Sequence, residues 1–320
     1  MIHLDYDAVM RLAGVAELVE PLRQAFASVT FTPERHHYEL DADGRRTLLV
    51  MPAWRANGAL GVKISTVFNS NPAHGLPTIA GLYVLMSAEN GSVSATIDAR
   101  AITLLRTAAV SALAADLLAP TDVNSLLMVG TGALAPFLIK AHASVRTYRR
   151  IAVWGRDIAK ARDVVRGLHT AGIYAHAVDN LEAAVRGADV ISCATNATEP
   201  LVRGTWLKDR LHLDLVGSYK PCMREADDDS LSRVDVVVDT LDALAESGDL
   251  IGPIEGKVLD AMQIDTLGAA LRKGRRLTAK RSVFKSVGTG LADLAAAEYL
   301  LAQHYKTNAN PSRESRAREA

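Results

Sequence analysis

The chain has 320 residues, 49% hydrophobic and 22% charged, enough to bury a substantial core and to form two domains. Lys+Arg 36 balance Asp+Glu 36, which excludes a general attraction to nucleic acid or to an anionic membrane. The N-terminal stretch MIHLDYDAVMRLAG lacks a basic region and an apolar run, and no apolar stretch reaches the ~18 residues of a membrane span, so a cytoplasmic protein is expected.

In chain order, residues 6–29 read as helical. The segments TLLVMPAW, LGVKISTVF and TIAGLYVLM follow, separated by Asp-Gly, Asn-Gly and Asn-Pro turn signals, and predict a mostly antiparallel sheet. Near residue 120 the rhythm changes to strand then helix. Strands are predicted at 125–130, 151–155, 174–178, 189–195, 211–217 and 234–240, with helical stretches between several of them. Such alternation predicts an α/β fold with a Rossmann-type, doubly wound parallel sheet over 118–289, beside an α+β domain over 1–117. LADLAAAEYLLAQHY predicts a last helix over 290–306, and the polar tail 307–320 is expected to be disordered. Cys193 and Cys222 have no CxxC or His-rich surroundings, so neither a disulfide framework nor a metal site is expected, and Cys193 reads as a small core residue.

In LLMVGTGALAPFLIKAH, Gly130, Gly132 and Ala135 fit G-x-G-x-x-A directly after an apolar strand and before a helix. The first glycine permits the tight turn. The second lets backbone approach a pyrophosphate that the next helix's amides can hold. An NAD site places an acid about 20 residues on, for the ribose 2′-hydroxyl, whereas a 2′-phosphate calls for Arg or Lys. Here Gly155 and Arg156 occupy that place, with Lys160 one helical turn further, so NADPH is expected, with NADH the weaker alternative. Asp157 reads as an N-cap.

Arg106 lies in the alanine- and leucine-rich run LLRTAAVSALAADLLAP, where a guanidinium needs a partner. That partner is either a substrate carboxylate or an acid such as Asp98 or Glu89. Lys63 is a lone cation in LGVKISTVF, on the parity of Gly61, Ser65 and Val67, and a solvated sheet face is equally open to it. Thr78 in GLPTIAGLY and Arg35 in PERHHYEL are weaker signals, and His36 and His37 alone read as exposed loop histidines.

Together VKIS, LPTIAGLYVL, LLRTAAVSALAA, VGTGALA, GADVISCAT, VGSYKPCMREADDD and VFKSVGTGLADLAAA resemble the ornithine cyclodeaminase/mu-crystallin family over nearly the whole chain. The resemblance implies an N-terminal sheet domain, completed by the C-terminal helix, that forms a homodimer and binds the substrate carboxylate. It implies Arg106 as principal carboxylate ligand, Arg35 as auxiliary, Lys63 beside the reacting carbon and nitrogen, and Thr78 lining the pocket. The implied cofactor set is Gly130, Thr131, Gly132, Ala133, Arg156, Thr195 and Val216, with Ser286 and Gly288 near the nicotinamide.

Within that family, cyclodeaminases carry a G-G-D-C-P-G-K type loop whose aspartate handles the substrate amines and water. Aligned on Val216, Gly217 and Pro221, this chain has Tyr219 at the aspartate position and no acid before Glu225. SYKPCMRE and the RHHY segment look most like bacterial Δ1-pyrroline-2-carboxylate/Δ1-piperideine-2-carboxylate reductases, except that Cys222 stands where relatives often have an acid. The resemblance therefore implies reduction of a small cyclic imino acid, to L-proline or L-pipecolate, with no metal, and with Lys63 or an ordered water as proton donor. A cyclodeaminase, an alanine-dehydrogenase-like oxidoreductase and a non-catalytic mu-crystallin-like binder are the alternatives.

Overall fold

The computed structural model describes residues 1–28, 32, 33, 35–43, 45–55, 58–274 and 280–309. The chain divides into two compact units, Met1–Arg106 with the C-terminal segment from Thr289, and Thr107–Gly288.

The first unit is built on β1 (Ile2–Leu4), β2 (His36–Glu39), β3 (Arg46–Trp54), β4 (Leu60–Phe68), β5 (Ile79–Met86) and β6 (Val93–Asp98). They form one sheet in the order β1-β6-β5-β4-β3-β2, with β2 to β6 antiparallel and β1 parallel to β6. The helical opening is two helices, α1 (Tyr6–Leu12) and α2 (Val15–Ala27). Asp5 caps α1 by accepting from Ala8 N at 2.8 Å, and the chain is extended at Ala13 and Gly14, which ends one helix and starts the other. Along β4, Gly61, Lys63, Ser65 and Val67 point to the buried face, while Ile64 on the other face is 45% exposed. Pro52 is tolerated inside β3 because β2 pairs only as far as Val50 and needs no N–H beyond it.

Helix α3 (Ala99–Leu118) follows β6 at once, with Asp98 accepting from Ala101 N at 2.7 Å. By length and composition it is apolar enough to cross a bilayer, a correction to the expectation that no stretch is. Its three charged residues, Arg100, Arg106 and Asp116, do not by themselves rule out a span. However, 83% of its apolar window is buried within the protein, which makes it a core helix.

The second unit holds β7 (Ser125–Val129), α4 (Ala135–Val145), β8 (Arg150–Trp154), α5 (Ile158–Thr170), β9 (His176–Val178), α6 (Leu181–Gly187), β10 (Val190–Cys193), β11 (Leu211–Leu215) and β12 (Asp235–Val238). After them come α7 (Ala243–Glu246), α8 (Gly248–Glu255), β13 (Asp265–Thr266), α9 (Leu267–Lys273) and β14 (Arg281–Lys285). The eight strands are all parallel, in the order β13-β12-β14-β11-β10-β7-β8-β9. β7, β10 and β11 are buried along their whole length, as near-continuous apolar runs covered on both faces must be. Cys193 lies in this core, fully buried.

The last helix, α10 (Gly290–Ala309), returns to the first unit and lies on β3, β4, β5 and α2. Its first turn approaches β3 so closely that a Cβ at Gly290 would stand 2.7 Å from Pro52 O. The helix continues through residues 307–309, where disorder was expected. The remainder of the predicted tail, 310–320, lies outside the described residues.

Candidate functional site

In the first unit, three charged side chains from three elements meet under the sheet. Lys63 on β4 is 3% exposed, Arg106 on α3 is 6% exposed, and Asp293 on α10 is fully buried. Asp293 Oδ2 lies 2.7 Å from Lys63 Nζ, and Asp293 Oδ1 accepts from Arg106 Nε at 2.8 Å. The Lys63 contact is a close ion pair between two buried groups. Lys63 therefore belongs to the buried face of β4, not to a solvated one. The acids expected opposite Arg106 are engaged elsewhere: Asp98 caps α3, and Glu89 sits in the turn after β5 with its amide on Ser87.

One carboxylate between two buried cations leaves an excess positive charge, and the geometry leaves a place to put its counter-ion. Only Nε of Arg106 is used. Among the described residues no acceptor takes its two terminal nitrogens. A guanidinium fork held from behind in this way matches a ligand carboxylate bidentately. Burial pulls the Lys63 ammonium down to about 8, Asp293 opposing and Arg106 and Arg35 reinforcing that shift. Arg35, just ahead of β2, thus acts electrostatically on the cluster. Thr78 is half-buried at the start of β5, five residues before Tyr83, the cross-strand partner of Lys63. Tyr83 is fully buried, and its hydroxyl has no partner among the described residues. Burial, with Asp293 nearby, pushes that hydroxyl far up. Gly61 makes room for the ring, since a Cβ there would come 2.3 Å from Tyr83 Oη.

In the second unit the expected cofactor residues gather along the C-terminal edge of the parallel strands, where doubly wound sheets bind ligands at the point of strand-order reversal. That reversal lies between β7 and β10. Gly130 ends β7 at φ +124°, and a Cβ there would meet Ala194 O at 2.4 Å. Gly132, by contrast, faces open space, and the Thr131–Ala133 stretch is half-buried to exposed. Leu134 provides no side-chain cap for α4; Ala135 N already bonds Gly132 O at 3.0 Å and Pro136 has no N–H, so a phosphate would be met chiefly by the exposed glycine turn ahead of the helix. These features fit a dinucleotide.

Arg156 and Lys160 are exposed at the end of β8 and the start of α5, and among the described residues no acid pairs with Arg156. Asp157 is the N-cap, accepting from Ala159 N at 2.9 Å. Position 155 cannot hold the acid of an NAD site without movement, because a Cβ there would stand 2.6 Å from Thr131 Cγ2.

Thr195, Gly217 and Ser286 to Gly288 are fastened by acids that sequence reasoning left unassigned. Glu225 Oε1 accepts from Thr195 N and Oγ1 at 2.7 and 2.9 Å, and its Oε2 from Gly217 N at 2.7 Å. Asp249 accepts from Glu225 N at 2.7 Å and pairs with buried Lys285 at 3.3 Å. Burial pushes Glu225 up to about 7, against Lys285 and these amides, which favour its charged form. Asp239 at the end of β12 accepts from Ser286 Oγ and Gly288 N, each at 2.7 Å, and from Val287 N at 3.2 Å. Val216 N bonds Cys193 O at 2.9 Å. Of these acids only Asp239 carries a sequence signal, its place just past the apolar strand β12; Glu225 lies in the loop after β11 and Asp249 inside α8.

The loop after β11 settles which acids are spoken for. Tyr219 packs partly buried against the core of this unit. Asp227 accepts from Gly204 N, Ser230 N and Ser230 Oγ at 2.8, 3.0 and 2.7 Å. Glu225 and Asp227, the first two acids after Tyr219, are thus committed to holding backbone.

Comparison with known proteins agrees with this architecture. The chain is 38% identical over 284 residues to Protein SAR DEFICIENT 4 of Arabidopsis thaliana, covering 85% of this chain and 87% of that one. It is 36% identical over 260 residues to a Delta(1)-pyrroline-2-carboxylate reductase of Paracoccus denitrificans, covering 79% and 82%. The solved structure of Thermococcus litoralis Delta(1)-pyrroline-2-carboxylate reductase in complex with NADH and L-proline superposes with a TM-score of 0.91 at 26% identity, covering 96% of this chain and 98% of that one. With residues 2–308 matching its family-wide pattern, the chain belongs to the ornithine cyclodeaminase/mu-crystallin family.

Proposed function

We propose that the chain is an NADPH-dependent reductase of cyclic ketimine acids, converting Δ1-pyrroline-2-carboxylate to L-proline and Δ1-piperideine-2-carboxylate to L-pipecolate. The observation that carries this reading is the Arg106 fork, oriented from behind by Asp293 and unclaimed at its terminal nitrogens, with the Lys63 ammonium on the same carboxylate. A planar imino acid needs its carboxylate clamped and its nitrogen protonated, and one buried cluster supplies both groups. A bound nicotinamide would supply the hydride. Arg35 adds positive potential, and Thr78 lines the pocket. Direct support for the chemistry is NADPH oxidation when either ketimine acid is added; no loss of absorbance with either would contradict it.

NADPH rather than NADH follows from Arg156 without an acidic partner, Lys160 one turn on, and a glycine at 155 closed to an acid by Thr131. Arg156→Asp is expected to weaken NADPH roughly 10- to 100-fold, the worth of one charge-assisted hydrogen bond of about 1.5 to 3 kcal/mol, and to change NADH far less. Titration of both cofactors by fluorescence checks this, and equal losses would remove the 2′-phosphate assignment.

The working unit is a homodimer. On the sheet face opposite α10, the cross-strand neighbours Ile64 and Leu82 are 45% and 43% exposed, an apolar pair that a second copy would cover. Light scattering is expected to give twice the 34.3 kDa chain mass, and a concentration-independent monomer would contradict it.

A further inference from the structure

The deepest charged group in the first unit is one that the resemblance gave no role. Asp293 sits inside the alanine-rich first half of α10, fully buried, and is the partner of Lys63 on β4 and of Arg106 on α3. A buried carboxylate serving a single structural pair would saturate both oxygens on it. Here one oxygen accepts from Arg106 Nε at 2.8 Å, while the other lies 2.7 Å from Lys63 Nζ, so a single carboxylate bridges two cations from different elements.

We propose that Asp293 is the positioning residue of the site: it keeps Lys63 protonated and aimed at the imine nitrogen, and turns Arg106 so that its fork faces the substrate carboxylate. This rests on the ketimine reductase reading. In the step, the N–H bond at Lys63 Nζ breaks and a new N–H bond forms at the ring nitrogen. The C=N π electrons become the nitrogen lone pair that takes that proton, and a bound NADPH would supply the hydride for the new C–H bond at C2, its own C–H bond breaking to leave NADP⁺. Lys63 is left neutral and recovers a proton from water. Asp293 stays paired with Arg106 throughout, so the buried site is never left with an isolated anion.

The groups facing Lys63 are Asp293 from α10, Arg106 from α3, Arg35 from the segment before β2, and the Tyr83 hydroxyl's strand β5, with Glu298 of α10 acting on Tyr83 in turn. Among the described residues Asp293 is the one anion acting directly on Lys63, and burial, Arg106 and Arg35 all favour the neutral amine. Removing the Asp293 charge therefore moves the Lys63 midpoint further down from about 8. A proton donor that must be charged loses activity as pH rises through its midpoint, so the alkaline limb of kcat/KM moves down with it.

The test uses the full chain. Lys63 is titrated by ¹⁵N NMR of the lysine amines, its signal identified by its loss in Lys63→Arg, in wild type and in Asp293→Asn. The midpoint is expected to fall by about one pH unit or more in Asp293→Asn, with kcat at neutral pH down at least roughly tenfold and KM unchanged or lower. An unmoved midpoint, or a raised KM with kcat intact, overturns the proposal. If Asp293→Asn does not fold, Asp293→Glu keeps the charge on a longer stem. The Lys63 midpoint should then stay near that of wild type while kcat falls at least roughly tenfold because the aim is lost. Undiminished kcat there overturns the proposal too. The NMR titration needs no turnover, so a wild-type protein that reduces no ketimine would count against the function while Asp293 is still tested.

Discussion

Arg106→Met is expected to lower kcat/KM for a cyclic ketimine acid by about two to three orders of magnitude while NADPH affinity stays within about twofold. Methionine keeps the stem's length and apolar packing on α3 and removes the fork. The loss combines a bidentate carboxylate contact with the penalty of bringing the substrate anion into a buried site without a partner, together about 3 to 5 kcal/mol. Asp293 keeps Lys63 as its ion-pair partner, so the fold should survive with a melting temperature lower by only a few degrees. Steady-state kinetics, cofactor titration and calorimetry separate the outcomes. Collapse of the fold, or equal loss of NADPH binding, would make Arg106 a structural ion pair and nothing more.

Gly217→Ala is expected to be among the most damaging single-methyl changes in the dinucleotide unit. A Cβ at 217 would stand 2.1 Å from Thr195 O, 2.4 Å from Glu225 Oε1 and 2.5 Å from Thr195 N. Two of the three are backbone atoms of Thr195, just past β10, and cannot yield as a flexible side chain would. The cost should lie at the upper end of overpacking, about 3 kcal/mol, and lower the melting temperature by about 6 to 12 °C. The Glu225 clamp on Thr195 and Gly217 would open with it, so NADPH affinity should fall as well. Gly132→Ala is the control: nothing lies within 4 Å of its Cβ, so the melting temperature should hold while NADPH binding weakens. Similar melting shifts in the two variants would contradict the packing account.

The parts legible in the sequence were those written in short-range pattern. The glycine turn, the strand-helix alternation after residue 120 and the Asp157 cap each depend on neighbours a few residues away. β14 escaped notice although it lies centrally between β11 and β12, because Arg281, Ser282 and Lys285 break its apolar run. Lys285 is tolerated there only because Asp249 reaches it from α8. Asp293 was equally invisible: on α10 it reads as a polar residue in an alanine helix, and its partner Arg106 lies 187 residues away in the chain. Parity along β4 could not choose between its two faces, since the face with Lys63 also carries Gly61 and Ser65 and the other carries Ile64. The choice is made by α10, which brings the anion.

The most direct test of the central claim is one purified sample assayed two ways. NADPH oxidation is followed with Δ1-pyrroline-2-carboxylate and Δ1-piperideine-2-carboxylate, and ammonia release is followed with L-ornithine and NAD. Deamination needs a base for protons from amine and water, whereas reduction of an imine needs hydride, orientation and one proton. Tyr219 aligns where that base would be, and Glu225 and Asp227 are occupied by backbone and side-chain donors. The expected result is NADPH oxidation with at least one ketimine acid and no ammonia from L-ornithine. Ornithine-dependent ammonia, retained in Tyr219→Phe and abolished in Asp227→Asn, would contradict the account.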